Sequence, residues 1–124
     1  AAAIIDALGP FDVGQGAVVA DGFVLAIEAA EGTDAMLDRC ASLAYGAGRG
    51  GLLVKRPKPG QELRIDLPVI GAETVRRAAK ARLSGIAVEA GRALIIDREE
   101  TAALADEAGL FVYGFSGKDL AGAP

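Results

Sequence analysis

Ala17-Val-Val-Ala-Asp-Gly-Phe-Val-Leu-Ala-Ile-Glu-Ala29 decides the fold class. Two β-rich runs, Ala17–Ala20 and Phe23–Ala29, flank Asp21-Gly22, the strongest short hairpin signal because glycine tolerates positive φ. The register of Val18–Glu28 (VVADGFVLAIE) returns without a gap in Ala87–Asp97 (AVEAGRALIID). Ile86–Glu89 and Arg92–Asp97 therefore read as a second hairpin across Ala90-Gly91. Any two hairpins look alike, so the likeness has a plain explanation too. If it is a repeat, two ββαβ halves make one mixed sheet, with Glu28 and Asp97 at equivalent strand ends.

Working outward, each hairpin leads into a helix and a further strand. Thr33–Tyr45 reads as a helix with Thr33 as N-cap and Met36, Leu37, Cys40, Leu43 and Ala44 on its apolar stripe. Gly51–Lys55 follows as a short strand. Ala72–Leu83 is the next helix, with Glu73 and Arg77 spaced for an i,i+4 pair. Arg98–Ala108 is a helix ended by Gly109, and Leu110–Gly114 a last strand. The expectation is an α/β fold: one compact domain, a mixed β-sheet of about six strands, three main helices and a ββαβ pseudo-repeat. The domain spans residues 12–115. Residues 1–11 read as the end of a linking helix broken at Gly9-Pro10, and 116–124 as a tail. The chain starts Ala1-Ala-Ala without Met, as a fragment of a longer protein would.

Composition narrows the chemistry. The chain has 124 residues, about one domain. Hydrophobic residues make up 52% and only six are aromatic, so the core is built from Ala, Val, Ile and Leu. No apolar run approaches the roughly 18–20 residues that span a bilayer. There is no histidine, which excludes histidine triads, HExxH zinc sites and imidazole shuttles. A single cysteine, Cys40, excludes an internal disulfide and reads as a small core residue. A reducing, cytoplasmic setting fits. An oxygen-rich site would favour Mg²⁺ or Mn²⁺. Net charge is −4, but residues 49–64 carry five basic residues against Glu62. A basic segment in an acidic chain attracts an anion locally, while the acidic remainder disfavours nucleic acid.

Two motifs fail in context. Gly46, Gly48 and Gly51 match G-x-G-x-x-G but follow a helix and open a strand, the reverse of a dinucleotide site. Gly117-Lys118 lacks the earlier glycine and the following Ser or Thr of a phosphate loop.

Three segments carry more. Pro57–Gly71 holds three prolines and two glycines, long for a connection in an α/β unit. Lys55 and Lys58 suit phosphate oxygens, Arg64 can bind them bidentately, and prolines limit the entropy lost on binding. Asp66, between Ile65 and Leu67, reads as placed for metal or water; a solvated basic loop is the plainer alternative. Glu28-Ala-Ala-Glu-Gly-Thr-Asp34 lies where a strand becomes a helix, whose N-terminus offers free amides to phosphate. Glu31 and Asp34 there could hold a hydrated Mg²⁺ or orient a water; ordinary capping, with Thr33 as N-cap and acids favoured by the helix dipole, is the plainer reading. Glu89, ending a buried strand, is either exposed at the sheet edge or used. Arg76, Arg77, Lys80 and Arg82 read as a solvated helix face.

Together, Asp12-Val-Gly-Gln-Gly16, Val19-Ala-Asp-Gly22, Glu28–Asp34, Leu53-Val-Lys-Arg-Pro-Lys-Pro-Gly-Gln61, Arg64-Ile-Asp-Leu-Pro68, Gly71-x-x-Thr74-Val and Gly85-Ile-Ala-Val-Glu-Ala-Gly91 resemble the C-terminal domain of LpxI-type UDP-2,3-diacylglucosamine pyrophosphatases of Gram-negative bacteria. The resemblance implies Mg²⁺-dependent hydrolysis in lipid A biosynthesis, giving 2,3-diacylglucosamine 1-phosphate (lipid X) and UMP. It implies a separate N-terminal domain as partner, with substrate between the two, so this domain alone would be inactive. On that basis Asp66, Asp34 and Glu31 are the catalytic candidates, with Asp66 and Asp34 for the metal. Gln15, Thr33, Lys55, Lys58, Gln61, Arg64 and Glu89 are the substrate-binding candidates. A homodimer and transient contact with the inner-membrane surface stay open. The alternatives are a non-catalytic domain for a nucleotide-sugar or acyl-sugar phosphate, and a purely structural domain.

Overall fold

The computed structural model describes residues 2–8, 15–20, 23–42, 50–57 and 68–116. Its elements are α1 (Ala2–Leu8), β1 (Gly16–Ala20), β2 (Phe23–Ile27), α2 (Thr33–Ala41), β3 (Leu52–Lys55), β4 (Val69–Ile70), α3 (Ala72–Lys80), β5 (Gly85–Glu89), β6 (Leu94–Ile95), α4 (Arg98–Ala108) and β7 (Phe111–Phe115). The fold is α/β, as expected. Its strands form a five-stranded mixed sheet ordered β2-β1-β3-β5-β7 and a separate pair, β4-β6.

The first hairpin forms. β1 and β2 run antiparallel, with a register shift between Val18 and Val19. The second does not, and this corrects the repeat. Ala90 and Gly91 do turn the chain, with the Arg92 N–H donating to the Glu89 carbonyl at 3.0 Å. But β5 already pairs in parallel with β3 on one edge and β7 on the other. It has no free edge for β6, which pairs in parallel with β4 instead. The result is two sheets rather than one. Asp97 accordingly takes a left-handed conformation before α4 and is not the counterpart of Glu28.

Side-chain alternation sorts the large sheet into two faces. Val18, Leu53, Ile86 and Val88 face α2, α3 and α4, which contribute Met36, Leu37, Cys40, Val75, Ala78 and Ala105. Cys40 is the core residue its position suggested. Burying a side chain such as Leu53 or Ile86, both at 0% exposure, contributes about 1.5–3 kcal/mol. The crossovers β3-α3-β5 and β5-α4-β7 advance in one direction across the sheet. Right-handed crossovers then place both helices on the same face. Ala17, Val54, Ala87 and Phe115 lie on the other face and pack with Ile5 of α1.

This arrangement brings many chain ends to one edge. Parallel β3 and β5 finish there at Lys55 and Glu89. Antiparallel β1 starts there, since Gly16 is the Cα partner of Lys55. β2 ends there and passes into Glu28, whose N–H donates to the Gly16 carbonyl at 2.9 Å. Clefts outside the carboxyl ends of parallel strands are the usual ligand sites of open α/β sheets.

Candidate functional site

A cavity of about 580 Å³ opens at this edge. Gly32, Thr33 and Asp34 at the start of α2 form one wall, and Gly71–Thr74 at the start of α3 the other. Glu31, Lys55, Val69 and Ile96 complete it. The first amides of a helix have no intrahelical carbonyl, and the helix dipole adds partial positive charge at that end. Two such ends facing one hollow favour an anion.

Thr33 was expected to cap α2. Gly32 takes the cap position instead, at φ 90°, a conformation that suits glycine. The Thr33 hydroxyl is thereby freed to donate to Glu28 Oε1. Glu28 Oε2 accepts the Gln15 N–H at 3.0 Å. The Glu28 residue is 7% exposed, so both hydrogen bonds offset the cost of burying its carboxylate. At the start of α3, the Gly71 N–H donates to Thr74 Oγ1 at 3.3 Å.

Among the described residues, Lys55 is the cation that lines the cavity. It is 5% exposed, and its Nζ donates to the Val69 carbonyl at 3.0 Å. Burial pushes its pKa below the ordinary lysine value, while the nearby charges of Glu28 and Asp34 push it back up. An ammonium has three donors, so more than this one bond is available to it. Buried and poorly screened, it interacts with an anion more strongly than a surface lysine would.

The acids lining the cavity are engaged by arginines. Glu31 is gripped by Arg39, through Nε at 3.0 Å and through Nη2. Glu73 accepts from Arg76 and Arg77 at 3.1 and 3.2 Å, and the Arg76 bond lowers its pKa. Asp34 lies 3.8 Å from Arg77 Nε. Glu31 and Asp34 both line the cavity, and each faces a guanidinium.

Glu89 is at the same sheet edge but on the opposite face. It lies 2.9 Å from Arg56 Nε and accepts from Arg92 Nη1 at 3.2 Å. The Arg56 and Glu89 atoms meet without an aligned hydrogen bond, so charge holds that pair. Arg56 also reaches Asp6 of α1 at 3.2 Å. Glu89 therefore anchors Arg56 and, through it, α1, away from the cavity. Gln15 bridges the two faces: its N–H goes to Glu28, and its carbonyl accepts the Arg56 N–H at 3.1 Å. Lys58, Gln61, Arg64 and Asp66 lie outside the described residues.

Sequence reasoning missed the α3 wall, where the Gly71-x-x-Thr74 spacing was the available signal. It also missed the outward face of β4-β6. Val69 and Leu94 are partners in this pair, and with Ile96 they expose an apolar ledge at 38%, 51% and 53%. Val69 and Ile96 belong to the cavity as well, so the ledge is continuous with the anion-favouring hollow.

Residues 1–113 match the family described as LpxI C-terminal domain. The chain is also 57% identical to the UDP-2,3-diacylglucosamine pyrophosphatase LpxI of Caulobacter vibrioides, over 86% of this chain and 40% of the relative. It thus spans about two-fifths of the length of that curated relative.

Proposed function

The chain belongs to the LpxI C-terminal domain family, and on that premise we propose that it supplies the phosphate-binding wall of a UDP-2,3-diacylglucosamine pyrophosphatase. The reaction is hydrolysis of the diphosphate to 2,3-diacylglucosamine 1-phosphate and UMP. The observation that carries the reading is Lys55, buried in a cavity onto which two helix N-termini open. A diphosphate gains charge on its leaving oxygen as the bond to phosphorus breaks. Preorganised donors aimed at that oxygen favour the transition state. Lys55 and the amides at the starts of α2 and α3 supply such donors. The ledge of Val69, Leu94 and Ile96 would take up part of the substrate's acyl chains beside the phosphate.

The described residues do not by themselves fit a magnesium centre. Among them no group of three acids or cysteines is gathered, and Glu31 and Asp34 face arginines. An ion would depend on Asp66, outside the described residues, with Asp34 contributing at most one carboxylate. The attacking water and its orientation fall to Asp66 and to the part of the enzyme that precedes this domain. Among the described residues no helix is long and apolar enough to cross a membrane, and the proposed setting is cytoplasmic, with access to an acylated substrate at the inner-membrane surface.

The test is UMP release by the full-length enzyme. Lys55→Met should lower kcat/KM by about 10²-fold, the usual cost of losing one oxyanion donor. Leu94→Asp should raise KM for the diacylated substrate. Unchanged kcat/KM in Lys55→Met would remove this cavity from the reaction.

A further inference from the structure

Lys55 and Glu28 are two strands apart, yet both side chains are buried on one face of the sheet. Gly16 lies between them. It is the Cα partner of Lys55 on β3 and accepts the Glu28 N–H from the β2 side. Directly opposed residues of antiparallel strands project to the same face. Two strand spacings place Glu28 and Lys55 roughly 10 Å apart at Cα. Gly16 has no side chain to fill the gap, and the Glu28 carboxylate occupies it. A Cβ on Gly16 would sit 3.3 Å from Glu28 Oε1. The carboxylate therefore leans over Gly16 towards the strand that carries Lys55.

Glu31, in the loop before α2, is held by Arg39. Asp34 of α2 faces Arg77. Glu73 of α3 is shared by Arg76 and Arg77. β1 and β5 oppose Lys55 with Gly16 and Val88, which carry no charge, and β4 offers only the Val69 carbonyl. Glu28 differs from the other acids. Its two hydrogen-bond donors, Gln15 N–H and Thr33 Oγ1, are neutral. Its charge is uncancelled by a guanidinium among the described residues, and it lies where water screens least.

We propose that Glu28 is a positioning residue for the anion site: over the gap left by Gly16, its buried carboxylate keeps the Lys55 ammonium charged and available to a phosphate. This rests on the reading of Lys55 as the phosphate-binding cation. Burial alone drives Lys55 towards the neutral amine, and Glu28 is the larger of the two acidic influences opposing that. Without Glu28, Lys55 would lose its proton at lower pH, and anion affinity would fade as the amine formed. The same carboxylate holds Thr33 at the start of α2, so one buried acid sets both the cation and one helix terminus of the cavity.

The experiment compares the full-length protein with Glu28→Gln, which keeps the shape and an acceptor for Thr33. The Lys55 titration is followed without ligand by NMR of its side-chain carbon, and kcat/KM is measured against pH. The expected result is a Lys55 midpoint lower by a unit or more, with the alkaline limb of kcat/KM moving in the same direction. An unchanged midpoint overturns the proposal, because a purely structural Glu28 would alter melting but not this titration. A lowered midpoint with an unmoved pH profile supports the coupling and overturns Lys55 as the substrate-binding cation. Gly16→Ala provides a second, milder probe should Glu28→Gln fold poorly. It displaces the carboxylate without removing it and should shift the midpoint the same way by a smaller amount; no shift in a folded Gly16→Ala, with Glu28→Gln unfolded, counts against the coupling.

Discussion

Thr33 donates its hydroxyl hydrogen to Glu28, joining the first residue of α2 to the residue just past β2. Thr33→Val keeps the shape and removes the donor, leaving Glu28 with one hydrogen bond fewer in a buried setting. The expected loss is about 1–3 kcal/mol, the cost of a buried acceptor left short of a partner. Urea unfolding measures it, and Thr33→Ser should recover most of it. Equal stability of Thr33→Val and wild type would mean the bond contributes nothing.

Lys55→Met should change the pH dependence of stability while weakening anion binding. Burial lowers the Lys55 pKa in the folded state, so the unfolded chain binds that proton more tightly. Native stability then rises with pH from the folded-state pKa up to the ordinary value of 10.5, and is lowest below that window. The methionine variant lacks this slope, so any advantage it has over wild type at neutral pH should shrink as the pH rises to 10.5. Unfolding series between pH 7 and 10.5 would reveal both effects. A flat difference across that range would contradict the assignment.

Arg56→Leu strands Glu89 beside β5 with Arg92 as its remaining cation and frees Asp6 of α1. The Arg56 and Glu89 side chains are only 14% and 13% exposed, so the loss should be about 2–4 kcal/mol. Arg76→Ala, on an exposed helix face, should cost under about 1 kcal/mol. Hydrogen exchange should show α1 amides opening in the Arg56 variant alone; protection retained there would separate α1 from this ion pair.

Gly51→Ala meets two obstacles. Gly51 has φ 100°, and a Cβ would lie 3.1 Å from both the Val19 carbonyl oxygen and Leu83. The backbone conformation alone costs about 1–2 kcal/mol for an L side chain. A thermal midpoint lower by several degrees is expected, with a 1 kcal/mol loss equivalent to about 4–8 °C in a domain near this size. An unchanged midpoint would mean that this turn adopts a different conformation in solution.

Local physics was legible in the sequence, and partner choice was not. Arg98–Ala108 was read to the residue because acids open it and Gly109 closes it in the left-handed region. The turn at Ala90-Gly91 was also read correctly, but a turn does not say which strand the chain then meets. That was decided by β3 and β7 occupying both edges of β5. β4 and β6 have two residues each, too few to show a period. Lys55 stood out as a cation in a basic segment. Glu28 did not, because an acid at a strand end looks the same in sequence whether water or protein surrounds it. Its burial depends on Gly16, which is adjacent only through strand pairing.

The pairing of Val69 with Leu94 joins positions 25 residues apart, with α3 and β5 between them. The β1-β2 hairpin, by contrast, closes between Ala20 and Phe23. Loop closure over longer distances loses more chain entropy, and distant pairings are slower to form. By that measure the β4-β6 wall of the cavity should close after the β1-β2 hairpin. Lys55 finds the Val69 carbonyl only when that has happened. Anion affinity therefore reports on the maturity of the whole domain: a half-folded chain retains the lysine but has no cavity to place it in.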